Sequence, residues 1–146
     1  MPNENNKPVY AMQYAEMIKY LKVLYQDLGV LHHNITGATF FSNHEQLGEL
    51  YEEVGEMTDN LIELGMTIGL FEPSIEESLQ FKASIPVRFY TTNEAFTIVV
   101  EEFKRAIELM EGAKIFVPDD IKNKIEEHEY TLRINGLYKA QMLLEY

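Results

Sequence analysis

The sequence predicts an all-α protein that folds as a four-helix bundle, and three observations support this fold class. Four long segments repeat apolar residues at spacings of three and four, which gives each segment one apolar stripe when it is helical. Pro73, Pro86 and Pro118 fall between the later segments, where helices end or begin. The connection between the second and third segments is long, as expected for two helices joined on the same side of a bundle. With 146 residues, we expect a single domain spanning residues 1–146.

The first helix is predicted over Val9–His33, and we expect residues 1–8 to form a flexible tail. Its apolar stripe consists of Ala11, Tyr14, Ile18, Leu21, Tyr25, Leu28 and His32. Residues 34–43 are predicted to form a turn, with Ser42 or Asn43 as the N-cap of the next helix. We expect Phe40 and Phe41 to pack at this end of the hairpin.

The second helix, predicted from His44 to about Gly69, carries two files of residues. The apolar file consists of Leu47, Leu50, Val54, Met57, Leu61, Leu64 and Ile68. The acidic file consists of Glu45, Glu49, Glu52, Glu56, Asp59 and Glu63. At ~100° per residue, the acidic file lies roughly opposite the apolar one. Such a file ordinarily faces solvent, which is our interpretation of its first four members.

Asp59 and Glu63 invite a second interpretation, because residues four apart lie one turn above each other. Paired carboxylates repel unless a cation lies between them, and oxygen ligands suit hard or borderline cations. A pair that points away from its own core requires its remaining ligands from a second subunit. Gly48 and Gly55 lie between the two files and are either unfavourable helix positions or a place where another helix approaches closely. Spacing alone leaves both alternatives open.

The remaining chain supplies the rest of the bundle. Ser74 followed by Glu77 is a capping-box pattern and predicts a short helix over Ile75–Ala83 within the crossover. The third helix is predicted over Thr92–Glu111, with Gly112 as its stop. The fourth begins at Pro118–Asp120 and continues to the chain end, with His128 on its apolar stripe as a core or interface residue.

One segment resembles a known family signature. His32–His44, with the sequence HHNITGATFFSNH, resembles the pattern H-W-x-V-x-G-x-x-F-x-x-L-H of the Dps miniferritins, the DNA-protection-during-starvation family of the ferritin-like superfamily. Leu50-Tyr51 and Asp59-x-x-x-Glu63 match the family's continuation at the expected distances, without insertion or deletion.

The resemblance implies a ferritin-like four-helix bundle with a short extra helix in the crossover between helices two and three. It implies a ferroxidase site at a two-fold interface, with His32 and His44 from one subunit and Asp59 and Glu63 from its partner as the metal ligands and catalytic residues. The implied chemistry is oxidation of Fe(II) by hydrogen peroxide or dioxygen and storage of ferric iron. The implied assembly is a homo-oligomer, a dodecameric shell built from two-fold dimers.

The sequence departs from the family pattern at three positions. The tryptophan after the first histidine is His33 here, and the chain has no tryptophan. We expect His33 to lie beside the metal ligands or in solvent. Asn43 replaces the leucine before the second histidine, and Leu64 replaces an arginine often found after the last carboxylate.

Composition narrows the possible partners. The formal net charge of −12 disfavours DNA binding, which depends on lysine and arginine displacing counterions from phosphates. The absence of cysteine leaves only nitrogen and oxygen ligands for a metal. No apolar run reaches the length of a membrane span, and the N-terminus lacks the order of a signal peptide, so we expect a cytoplasmic protein without membrane association. The alternative function is a ferritin-like structural or interaction protein with a vestigial metal site.

Overall fold

The helices of the predicted bundle are present in the computed structural model, which describes the backbone of residues 7–144 and the side chains of residues 11–144. The long helices are α1 (Lys7–Asn34), α2 (Phe40–Met66) and α4 (Thr92–Ala113). The fourth member of the bundle is α5 (Asp119–Thr131), continued by a π-helical segment (Leu132–Tyr138) and α6 (Lys139–Leu144). The crossover contains the predicted short helix, α3 (Ile75–Phe81). Two short strands, β1 (Ile35–Thr36) and β2 (Tyr90–Thr91), pair in parallel beside the start of α4.

The helix starts differ in part from the predictions. Residues 1–6 of the predicted tail lie outside the described residues, but α1 already begins at Lys7. The predicted N-caps of α2 were wrong, because α2 begins at Phe40 after Thr39. Asn43 is instead a buried residue inside α2, where its amide donates to the hydroxyls of Thr39 and Thr92 at 2.6 and 2.7 Å. A polar residue that could have capped α2 therefore ties α2 to α4.

The C-terminal ends of α3 and α4 also differ from the predicted ends. The Ser74 hydroxyl accepts a hydrogen bond from the backbone of Glu77, as the capping pattern predicted, but α3 ends at Phe81 because Lys82 is extended. Gly112 was wrongly predicted as the stop of α4, which runs on to Ala113, because Gly112 does not adopt a positive φ and the N–H of Lys114 still donates to the carbonyl of Met110.

The two files of α2 face as predicted. Its buried apolar residues are Leu47, Leu50, Val54, Met57 and Leu61, and Leu64 is half-buried. All six members of the acidic file are exposed. The apolar file packs on α1 and the rest of the core, so the charged side of α2 is left on the surface of the chain.

Helices α1 and α2 run antiparallel and pack through aromatic rings that lie over glycines. A Cβ at Gly48 would lie 2.7 Å from the His32 ring, and one at Gly55 would lie 2.6 Å from the Tyr25 ring. The helix that approaches these glycines is therefore α1 of the same chain, and their absent side chains make room for its rings.

A buried charged cluster fastens the crossover to the bundle. The Lys82 ammonium donates to the carboxylates of Asp27 on α1 and Glu102 on α4, at 2.7 and 2.8 Å. The second oxygen of Asp27 accepts the backbone N–H of Ile85 at 3.0 Å. One lysine thus joins three parts of the chain.

Over the described residues, none of the helices is both long and apolar enough to span a membrane.

Candidate metal centre

The predicted histidine ligands lie together where α1 ends and α2 begins. The rings of His32 and His44 stack with their centroids 3.9 Å apart and their planes 15° apart. Nδ1 of His32 lies 2.7 Å from the carbonyl oxygen of His44, and Nδ1 of His44 lies 2.6 Å from the carbonyl oxygen of His32. Each ring is therefore held by the backbone of the other residue.

These reciprocal hydrogen bonds determine which ring nitrogens are available. A carbonyl oxygen can only accept, so both Nδ1 atoms must carry the proton and donate it. In the neutral imidazole, the proton on Nδ1 leaves a lone pair on Nε2, which is the form that binds a metal. The hairpin thus presents two Nε2 atoms whose tautomer and ring orientation are already set.

The surroundings of His32 favour its neutral, metal-binding form. Burial lowers the pKa of His32, and the neighbouring His44 and His33 act in the same direction. The hydrogen bond with His44 and the negative charge of Glu52 oppose this shift without cancelling it. Metal binding requires a deprotonated imidazole nitrogen, so a lowered pKa extends the range of pH at which His32 can bind.

A column of stacked rings supports the histidine pair. Tyr51 stacks on Tyr25 with centroids 4.3 Å apart and lies nearly parallel to His32 at 6.2 Å. On the other side, Phe40 stacks on His44 at 5.1 Å. Packing on both sides restricts the imidazoles to one orientation. Sequence reasoning missed this role of Tyr25 and Tyr51, because the packing of these rings over Gly55 and Gly29 exists only in the folded hairpin.

His33 is exposed, with its ring tilted by 57° relative to His32 and its centroid 4.8 Å away. His33 thus lies beside the histidine pair and faces solvent, and whether it adds a ligand to a bound metal stays open. The His33 ring does not stack within the column, so it does not help to hold the other two histidines in place.

Asp59 and Glu63 lie on the exposed side of α2, as predicted, but far from the histidines of the same chain. Fifteen positions separate His44 from Asp59, which is about 22 Å along a helix that rises ~1.5 Å per residue. Within the described part of the chain, no three histidine, aspartate or glutamate side chains come together as a metal site. One chain therefore carries the two halves of the predicted site at opposite ends of α2.

The fourth histidine belongs to the bundle interior. His128 on α5 is half-buried, and its Nε2 donates to the amide oxygen of Asn60 on α2 at 2.7 Å. Burial lowers its pKa. This agrees with its prediction as a core or interface histidine.

The relatives that this chain has in sequence and in fold are proteins of the same kind. No protein-family model matches the chain. A Brevibacillus brevis protein named DNA protection during starvation protein is 31% identical over 133 residues, which cover 84% of this chain and 83% of that protein. The fold is similar to that of antigen TpF1 from Treponema pallidum, with a TM-score of 0.91 and 22% identity over 100% of this chain and 97% of that one. It is also similar to a Vibrio cholerae O1 Dps protein, described as a member of a broad superfamily of ferritin-like diiron-carboxylate proteins, with a TM-score of 0.85 and 16% identity over 96% and 91% of the two chains.

Proposed function

The chain belongs to the Dps family of ferritin-like proteins, and from that premise we propose that it oxidises Fe(II) at a site shared between two subunits and stores the ferric product. The oxidant is hydrogen peroxide or dioxygen, and iron is the substrate. His32 and His44 of one subunit and Asp59 and Glu63 of the partner subunit bind it. The assembly is a homo-oligomer built from two-fold dimers, for which the family suggests a dodecameric shell.

The observation that carries this proposal is the pair of reciprocal hydrogen bonds between His32 and His44. A histidine pair kept only for packing has no need to leave both Nε2 atoms free of protons. Here both Nδ1 donors are used within the hairpin, and the two Nε2 atoms remain for a ligand. Imidazole nitrogen together with carboxylate oxygen is a ligand set that suits iron.

A two-fold axis across α2 would complete the site. If the axis crosses the helix between Glu53 and Val54, an antiparallel copy sets His44 opposite the partner subunit's Glu63. The same copy sets Gly48 opposite the partner subunit's Asp59. Because the His32 ring lies over Gly48, each histidine then meets one carboxylate from the other chain. A two-fold dimer repeats this arrangement at both ends of the helix pair.

The proposed oxidation requires little movement of the protein. The carboxylates neutralise the charge of bound Fe(II), while the stacked rings keep both imidazoles in place. Two Fe(II) ions each lose one electron, and one hydrogen peroxide takes both electrons with two protons to become two water molecules. Since the chain carries a net charge of −12, its field attracts cations towards the assembly. The same charge opposes DNA binding, which is not part of the proposal.

The direct test measures Fe(II) oxidation by peroxide in the wild type, His44→Ala and Asp59→Ala. We expect the rate to fall by about a hundredfold in either variant, because each loses one ligand of the site. Glu101→Gln on α4 changes an exposed acid of another helix and is expected to retain the wild-type rate. Wild-type rates in both site variants would refute the proposed site and leave the ferritin-like structural protein as the better reading.

Mixing the two inactive variants tests the shared site itself. In a mixed two-fold dimer, one site receives both substitutions and the other receives neither. If subunits are unfolded together and reassembled at random, half of the dimers are mixed, so about a quarter of all sites are intact. Recovery of about a quarter of the wild-type rate supports a site between subunits. No recovery in assembled mixtures would contradict it.

A further inference from the structure

Six residues along one side of α2 are symmetrically spaced. They are Phe41, Gly48, Glu52, Gly55, Asp59 and Met66, separated by seven, four, three, four and seven positions. These intervals keep all six on one side of a helix. None of the six is buried in the single chain. We call this set the α2 stripe.

The intervals of the α2 stripe are the same in both directions, so an antiparallel copy can pair with it along its full length. Glu52 meets the partner subunit's Gly55, and Asp59 meets the partner subunit's Gly48. Each carboxylate is thus opposite a glycine, beside the His32 or Tyr25 ring that lies over that glycine in its own chain. The pairs at the two outer ends are different, because both members are large and apolar.

Phe41 and Met66 are the residues at these outer ends. Phe41 is 85% exposed and Met66 is 63% exposed. From the sequence we expected Phe41 to pack at the end of the hairpin; its ring meets only that of Phe40, and most of it is exposed in the single chain. Its neighbour Phe40 does pack, against the rings of His44 and of Phe41 itself.

We propose that Phe41 docks against Met66 of a second copy of this chain and thereby fixes the register that brings the histidines to the carboxylates. This inference rests on the proposed shared site, because it extends the same antiparallel pairing by one helical turn beyond His44 and Glu63. The occupant of the apolar surface around Met66 is therefore the partner subunit's Phe41. The contact occurs twice in the dimer, once at each end of the α2 pair.

Further apolar residues lie close to Met66 in the chain. A cavity of about 240 Å³ lies between α1 and the end of α2, and its α2 wall consists of Ile62 and Gly65, the turn of helix just before Met66. Phe71, which is 94% exposed, forms another part of the wall. The rest of the lining is mostly apolar and includes Ala11, Ala15, Ile18 and Leu70. Exposed apolar side chains of this kind, grouped beside a cavity, are typical of a buried anchor in a protein interface.

The position of this contact gives it a specific consequence. Phe41 lies one turn before His44, and Met66 lies one turn after Glu63. A slip of the helix pair by one turn would separate both ligand pairs and would also remove Phe41 from the Met66 surface. The apolar contact thus opposes the slip without adding a ligand to the site.

Cysteine cross-linking tests the register directly, because the natural chain has no cysteine. In a Phe41→Cys, Met66→Cys double variant, we expect a disulfide-linked dimer after mild oxidation. Within one chain the two positions are about 37 Å apart along α2 at ~1.5 Å per residue, so they cannot bond to each other. Each single variant serves as a control and is expected to stay uncross-linked. An assembled double variant that does not cross-link would overturn the inference.

A reciprocal exchange gives a second test. Phe41→Glu should convert the assembly to smaller species in light scattering while its helical circular dichroism stays unchanged, because this side chain is exposed in the single chain. Phe41→Met combined with Met66→Phe restores the same contact with its members exchanged and should retain the assembly. If Phe41→Glu leaves the assembly intact, Phe41 is not a contact between copies.

These tests separate the register from the iron chemistry. A cross-linked dimer that does not oxidise Fe(II) keeps the docking contact and refutes the proposed function. An active wild type whose assembled double variant fails to cross-link keeps the function and refutes the contact.

Discussion

Two pairs of acidic side chains in this molecule differ in whether a cation of the same chain lies between them. In the interior, Asp27 is fully buried, yet Lys82 joins it to Glu102 within the same chain. On the surface, Asp59 and Glu63 are one turn apart on α2, and among the described side chains none forms a salt bridge with them. The first pair has its cation within the same chain, and for the second pair we propose that a bound metal ion supplies the positive charge.

The difference separates a structural acid pair from a candidate binding pair. A buried carboxylate without a cation would cost too much to keep, so the chain must supply the lysine itself. An exposed pair costs little in the free chain, because water screens the repulsion. The free chain can therefore keep this pair without a cation, as the proposed shared metal site requires.

The largest effect on stability is expected where the chain neutralises its own acids. Lys82→Met leaves Asp27 and Glu102 buried without their cation, and we expect the free energy of unfolding to fall by about 3 kcal/mol. Urea denaturation followed by circular dichroism measures this loss. Lys124→Met breaks the exposed pair with Glu127 and should cost less than about 0.5 kcal/mol. Equal losses in the two variants would contradict the contrast between the two regions.

The fold was largely predictable from sequence, because apolar spacing identifies which side of each helix is buried. The helix starts were less predictable, since Asn43 could cap α2 or hydrogen-bond to Thr92, and only packing decides between them. The Lys82 cluster was not predictable, because its three members are separated in sequence and meet only when the crossover folds back.

The candidate site was also predictable only in part. The motif indicated which residues could bind iron, but it contained no information on ring tautomers. Those depend on the close approach of the His32 and His44 backbones, which exists only after the hairpin forms. The meeting of histidines and carboxylates depends on a second chain and stays a prediction.

The interior pair also predicts a pH dependence of stability. Burial, with the nearby Asp27 carboxylate, raises the pKa of Glu102 from 4.5 to about 8. Between pH 6 and 9 the folded state must release a proton that the unfolded chain has already lost, so the unfolding free energy falls as pH rises. Glu102→Gln should reduce this decline by on the order of 1–2 kcal/mol.

Thermal unfolding across this pH range, with Glu101→Gln as control, measures the change in slope. The pKa of Glu129 is also raised by burial, to about 7, and contributes a decline of the same sign in every protein compared. If the unfolding free energy of Glu102→Gln depends on pH as steeply as that of the wild type, Glu102 is not the group that keeps its proton in the folded state.

A smaller effect on stability is expected at the histidine pair. In Gly48→Ala, the new methyl group would lie 2.7 Å from the His32 ring, so the ring must shift away from the His44 carbonyl. Alanine favours the helix by roughly 1 kcal/mol, which offsets the strain, so we expect a net change below about 1 kcal/mol. Iron oxidation should nevertheless fall at least tenfold. Gly112→Ala, where the added Cβ meets nothing within 4 Å, is the matched control and should keep full activity.

The smallest effect on stability is expected for the combined variant Asp59→Asn, Glu63→Gln. Removing two like charges one turn apart should leave the metal-free free energy of unfolding unchanged or raise it by a few tenths of a kcal/mol, roughly 0.2–0.5. A redox-inert divalent ion such as Zn²⁺ should raise the melting temperature of the assembled wild type, because it binds only the folded site. The same ion should not stabilise the variant. If the variant loses several kcal/mol without metal, the two acids are structural after all, and the contrast with Asp27 and Glu102 disappears. If Zn²⁺ stabilises both proteins equally, the ion binds elsewhere, and the acids of α2 do not complete a metal site.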